Sequence, residues 1–145
     1  MEFGWINFFG AAIVVIMLIP NLIFARKHTD QKNLCTNRAM NFMEQIGRYG
    51  CFILMWLPLV VGEFGFSGIP AFLIYVIGNG ILLFIYLILW AFYFKNSSVK
   101  MAMALAVVPV CIFLLSGLLL RHWLLSASAV LFGIGHIYVT KANQK

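Results

Sequence analysis

Long apolar runs interrupted by short polar connections dominate the chain. Five of these runs approach or exceed the length of a bilayer crossing, at about residues 6–25, 45–62, 69–94, 101–120 and 123–140. A hydrocarbon core about 30 Å thick takes about 20 helical residues at 1.5 Å each. Lipid offers an open strand no partners for its N–H and C=O groups, so helices are the expected form of every run. The pattern predicts an all-α polytopic membrane protein with five transmembrane helices in one compact bundle. Residues 1–145 then make a single domain, with too few residues left over for a soluble one.

The tightest connection is Arg121-His122, between the fourth and fifth runs. Without a turn there, residues 101–140 would form one helix of about 60 Å, twice the thickness of the hydrocarbon. The alternative is four spans, with one of the last two apolar segments lying in the interface.

Charge orients the spans. Of ten Lys and Arg residues, nine fall on one side of a five-span arrangement: Arg26, Lys27, Lys32, Arg38 and Arg48 in or just after the first loop, Lys95 and Lys100 in the third loop, Lys141 and Lys145 in the tail. Arg121 alone is opposite. The positive-inside rule therefore places the amino terminus outside and the carboxyl terminus in the cytoplasm of a multi-pass cell-membrane protein. MEFGWINFFG has no basic residue, which argues against a cleaved leader and for a retained first span. Trp5 and Trp123 suit an outer aromatic belt, Trp90 and Tyr93 an inner one, and Trp56 lies within a span and is expected to pack.

Composition changes the picture little. The chain is 63% hydrophobic and 10% charged, and its net charge of +6 collects beside apolar spans, where basic residues meet anionic head groups of membrane lipids. Nucleic acid is not an expected partner. Three cysteines, Cys35, Cys51 and Cys111, form no CxxC pair and no even set, so neither a disulfide framework nor a metal site is expected, and no cofactor motif is present.

The polar residues within apolar runs carry the functional content. In NRAMNFMEQIGRYGC, residues Asn37, Asn41, Glu44 and Arg48 recur at helical spacing and form one stripe, which Cys51 and Met55 continue. Ionised groups in a span are costly unless paired or wet, so the stripe is expected to face protein or a water-filled opening. Glu44 and Arg48 form an i, i+4 pair, which also suits a simple interfacial salt bridge with Arg48 reaching for head groups. Asn21 and His136 lie near the inner ends of their spans. Asn79 is the deepest, between Gly78 and Gly80, where a hydrogen bond to a neighbouring helix would hold it. Asn21, Asn41, Glu44, Arg48, Asn79 and His136 are the candidate ligand-binding residues.

Pro20, Pro58 and Pro109 each remove a helical hydrogen bond and allow a kink. Ala129 with Gly133, and Ala102 with Ala106, are small residues at i, i+4 that let helices approach within one chain or between copies. Glu63 ends the second span, and the loop after it has the glycines and proline of a turn.

The leading functional expectation is a transporter or ligand-binding membrane protein with a polar pocket open to the cytoplasm. One alternative is an accessory, regulatory or immunity-type protein acting through a partner membrane protein or as a homo-oligomer. The other is a membrane-embedded enzyme acting on a lipid or apolar substrate, with His136 as acid or base and Glu44 or Arg48 as its orienter. No HExxH, GxSxG or paired intramembrane aspartates support catalysis, and no residue is assigned a catalytic role.

Overall fold

The computed structural model describes residues 7–28, 34–57 and 66–144. All regular structure among them is helical: α1 (Phe8–Lys27), α2 (Arg38–Leu54), α3 (Ile69–Lys95), α4 (Val99–Leu119) and α5 (Trp123–Asn143). Trp5, Lys32, Pro58, Glu63 and Lys145 lie outside the described residues.

Four helices, α1, α3, α4 and α5, are long and apolar enough to cross a membrane, and their ends lie close to those read from hydropathy. The second helix differs. It starts at Arg38 rather than near residue 45, because the Asn37 side chain accepts the Met40 N–H at 3.3 Å and caps the helix there. Its polar first half makes it 17 residues of mixed character, which by length and composition do not qualify as a span. Its course is nonetheless end to end. The Leu34 N–H donates to Asn143 Oδ1 at 2.6 Å, and the His122 ring Nε2 lies 3.2 Å from the Leu57 carbonyl oxygen. Residues 34–57 thus run antiparallel to α5 from its last turn to its first.

The bundle is built by neighbours in the order α2, α5, α4, α3, α1. The ring is closed between α1 and α2 at the amino-terminal end of α1. There the Asn7 N–H donates to the Trp56 carbonyl at 2.9 Å and the Asn7 side chain reaches the Met55 carbonyl at 3.4 Å. A Cβ on Gly10 would collide with that same carbonyl, which is why the contact admits only glycine.

The pattern of burial is the reverse of a water-soluble helix. The buried face of α3 consists of Tyr75, Asn79, Tyr86, Trp90 and Tyr93, all with polar tips. Its exposed face carries Ile74, Ile77, Ile81, Phe84, Ile85 and Ile88. Apolar side chains turned outward around polar ones turned inward are what a hydrocarbon solvent favours, and they are compatible with a membrane location. Trp90 and Tyr93 correct the expectation of an inner aromatic belt: they are 7% and 9% exposed and pack with Phe24. Trp123, 67% exposed, remains placed as a belt residue would be.

The α4–α5 turn is as tight as the sequence implies. Arg121 takes a positive φ of 57°, the Arg121 N–H donates to the Leu118 carbonyl at 3.3 Å and the His122 N–H to the Gly117 carbonyl at 2.9 Å. These two bonds define a Schellman cap. Ala102, Ala106, Ala129 and Gly133 are buried, and Gly133 faces Val110 of α4, so these small residues serve packing within the chain. At the opposite end, the last turns of α1, α3 and α5 carry Arg26 and Lys27, Lys95, and Lys141, where cations complement the helix dipoles.

Candidate functional site

Glycines bring α2 and α5 together. A Cβ on Gly47 would run into the backbone of Phe132, and one on Gly135 would lie 2.5 Å from the Glu44 nitrogen. This close approach sets the Glu44 side chain against α5, where it is only 6% exposed. A buried carboxylate needs partners, and it has two on one oxygen. Arg48 Nη2 donates to Glu44 Oε1 at 2.5 Å, and His136 Nδ1 lies 2.8 Å from the same atom. An ionised carboxylate only accepts, so the proton of that second bond sits on Nδ1. Phe132 stacks on the imidazole, with centroids 4.7 Å apart and planes at 13°, and holds the ring plane.

Glu44 and His136 form one wall of a cavity of about 340 Å³ at the basic end of the bundle, a size within the usual range for small-molecule sites. Asn21, Phe24, Tyr86, Trp90 and Tyr93 face them across it, with Thr140, Asn143 and Gln144 from the end of α5. Asn21 Nδ2 donates to the Tyr86 hydroxyl and to the Met17 carbonyl, both at 2.7 Å. The Trp90 indole N–H is buried beside the Tyr86 hydroxyl. A second cavity of about 230 Å³ shares Asn21, Tyr86 and His136 with the first and is lined also by Met17, Leu18, Arg48, Phe52, Pro109, Phe113 and Phe132.

The six sequence candidates therefore divide. Asn21, Glu44, Arg48 and His136 line these two cavities. Asn41 instead donates to the Cys35 carbonyl at 3.0 Å and ties down the approach to α2. Asn79 donates to Ser116 Oγ at 3.0 Å between α3 and α4 and lines neither cavity. Arg48 reaches inward to Glu44 and the second cavity rather than out to head groups, with about a third of its side chain exposed.

Tyr86, Trp90 and Tyr93 line the cavity without being among the six sequence candidates, Trp90 and Tyr93 being expected in an aromatic belt. Their i, i+4, i+7 spacing, in register with Tyr75 and Asn79, was the signal: a polar-tipped stripe in an otherwise apolar helix marks the face turned from lipid. Asn7 carried no comparable signal. It lies near the start of the first run and is fully buried, donating to the Tyr75 hydroxyl at 3.2 Å. Among the described residues no cluster of three His, Cys, Asp or Glu side chains is placed to hold a metal ion.

Comparison with protein-family models, curated proteins and solved structures finds no match, so geometry alone carries the functional reading.

Proposed function

We propose that the chain is an integral membrane protein of five crossings, with its carboxyl terminus in the cytoplasm, that binds or transports a small ligand in a pocket opening at the cytoplasmic face. The observation that carries this reading is the Glu44 carboxylate, buried and shared between Arg48 and His136, in the wall of a cavity of about 340 Å³. A purely structural ion pair needs no cavity beside it. The position of α2 alongside α5 from end to end supports a crossing despite its polar half, since its polar stripe faces protein and not lipid. Arg26, Lys27, Arg38, Lys95, Lys100 and Lys141 are exposed around the pocket's end of the bundle, where anionic head groups of the cytoplasmic leaflet would hold them.

The test is ligand-induced thermal stabilisation of the detergent-purified protein across a library of metabolites and lipids. A stabilising compound whose effect vanishes in Arg48→Ala and Glu44→Ala supports the reading. A library without effect favours an accessory protein that works through a partner.

One observation favours an enzymatic second reading. His136 is oriented by Glu44 through Nδ1 and its ring stands in the cavity wall, the arrangement in which a carboxylate orients an imidazole for general acid–base chemistry.

A further inference from the structure

Charge is divided between the two cavities. Of the Glu44–Arg48 pair, the carboxylate lines the larger cavity and the guanidinium lines the smaller one, which has no Asp or Glu among its described lining residues. On the reading that the bundle binds a small ligand, we infer that the smaller cavity takes an amphiphilic organic anion, a carboxylate on a short apolar body, with Arg48 as its counter-charge.

The polar corner of that cavity is made of donors. Arg48 carries five N–H groups in a planar fork, of which Nη2 is engaged by Glu44, and about a third of its side chain stays exposed. The Tyr86 hydroxyl accepts from Asn21 Nδ2 at 2.7 Å, which leaves its own hydrogen to donate. A carboxylate accepts through both oxygens and matches the guanidinium fork. His136 lines the same corner and opposes an anion in neither protonation state: neutral it adds no charge, and protonated it adds a second cation. Glu44 is the opposing charge, but its Oε1 is held by both Arg48 and His136 and it stands in the wall of the larger cavity, so an anion in the smaller one meets the guanidinium first. Arg26 and Lys141, five residues beyond Asn21 and His136 in their helices, belong to the exposed cations at this end of the bundle, whose summed field favours an anion over a cation.

The rest of the wall is apolar, made of Met17, Leu18, Phe52, Pro109, Phe113 and Phe132, so sites for a head and for a body share one cavity. Phe113 stands between Phe52 and Phe132, with ring centroids 5.9 and 6.0 Å from its own, an arrangement that extends to a further ring in edge or offset contact. The volume of about 230 Å³ falls below the usual span of about 300–1,000 Å³ for drug-sized ligands and suits a single ring or a short chain. A bare inorganic anion would lose its hydration and leave this wall unused, whereas an apolar body on the carboxylate offsets that loss by its own burial.

Equilibrium dialysis of 4-phenylbutanoate, 4-phenylbutanamide and 4-phenylbutylamine against the full chain in nanodiscs at pH 7.5, with empty nanodiscs subtracted, tests this, because the three share a shape and are anionic, neutral and cationic there. The acid is expected to bind at least about tenfold more tightly than the amide, and the amine more weakly than either. Arg48→Gln is expected to remove the preference for the acid and leave the amide unchanged. Leu18→Trp adds bulk at a residue lining only the smaller cavity and is expected to weaken the acid about tenfold, whereas Gln144→Ala, which touches only the larger cavity, is expected to leave it unchanged. Should Arg48→Gln fail to fold, the charge series on the parent chain decides by itself. An amide that binds as tightly as the acid, or an amine that binds more tightly, overturns the anion while leaving a ligand pocket in place. A preference for the acid that survives Arg48→Gln, or a larger effect of Gln144→Ala than of Leu18→Trp, overturns the smaller cavity as its site. Binding of none of the three overturns the anion site, and takes the ligand pocket with it when the thermal-shift library is also without effect.

Discussion

Replacing Glu44 by Gln keeps the shape of the side chain and removes the charge that Arg48 and His136 share. In a water-soluble protein each hydrogen bond to a charged group contributes about 1.5–3 kcal/mol. Two features lower that here. Arg48 is 32% exposed, so it regains water when its partner goes, and its share falls to about 0.5 kcal/mol. Polar pairs between membrane helices couple by only about 0.6 kcal/mol on average and at most about 1.7, because the unfolded state in lipid also finds partners. The Glu44–His136 bond joins α2 to α5, is short at 2.8 Å, and belongs near the upper end. A double-mutant cycle is therefore expected to give about 1–1.5 kcal/mol for Glu44 with His136 and about 0.5 kcal/mol for Glu44 with Arg48. Unfolding by dodecyl sulfate in mixed micelles, followed by tryptophan fluorescence, measures both. A His136 coupling below about 0.3 kcal/mol, or a Glu44→Leu variant as stable as the parent, would refute the shared carboxylate as an interhelical tie.

Glycine substitutions separate close approach from open space. Gly135→Ala puts a methyl group 2.5 Å from the Glu44 nitrogen and should destabilise by about 1–3 kcal/mol, whereas Gly80→Ala meets nothing within 4 Å and should stabilise α3 by up to about 1 kcal/mol in the same unfolding assay. Asn79→Ala should cost about 1 kcal/mol through its bond to Ser116 and leave ligand binding unchanged, while Asn21→Ala should weaken ligand binding in the thermal-shift screen. His122 gives a pH dependence: burial, the larger cause, holds its imidazole below the ordinary value against the opposing pull of the Leu57 carbonyl. The unfolded chain takes up a proton near pH 6.5 that the folded chain resists, so this contribution is complete above that pH and is lost as pH falls. Melting temperatures at pH 7.5 and 5.5 should differ in the parent and differ less in His122→Asn, which keeps a capping side chain at the start of α5.

Hydropathy placed α1, α3, α4 and α5 to within a few residues because lipid imposes one length and one polarity on each. It misplaced the start of α2 because a sliding apolar window is blind to the Asn37 cap, although the spacing of Asn41, Glu44 and Arg48 already described a helix there. The stripe itself was legible, since Glu44, Cys51 and Met55 all turn inward. Its division was not. Whether Asn79 meets Ser116 or the pocket depends on the rotation of α3 against α4, and no local spacing encodes that rotation. The same holds for Gly135 and Gly47, whose role appears only when the facing backbones, Glu44 and Phe132, are known.

The side of the membrane on which the pocket opens decides its role most directly. A single cysteine at Thr140 in the pocket wall, with Cys35, Cys51 and Cys111 replaced by serine, and a second variant with the cysteine at Arg121, would be exposed to a membrane-impermeant maleimide in vesicles of each orientation. The expected result is that Thr140→Cys reacts in inside-out vesicles and is protected in right-side-out ones, with Arg121→Cys the reverse. Thr140→Cys and Arg121→Cys reacting from the same side, or Thr140→Cys reacting from the outside, would contradict it.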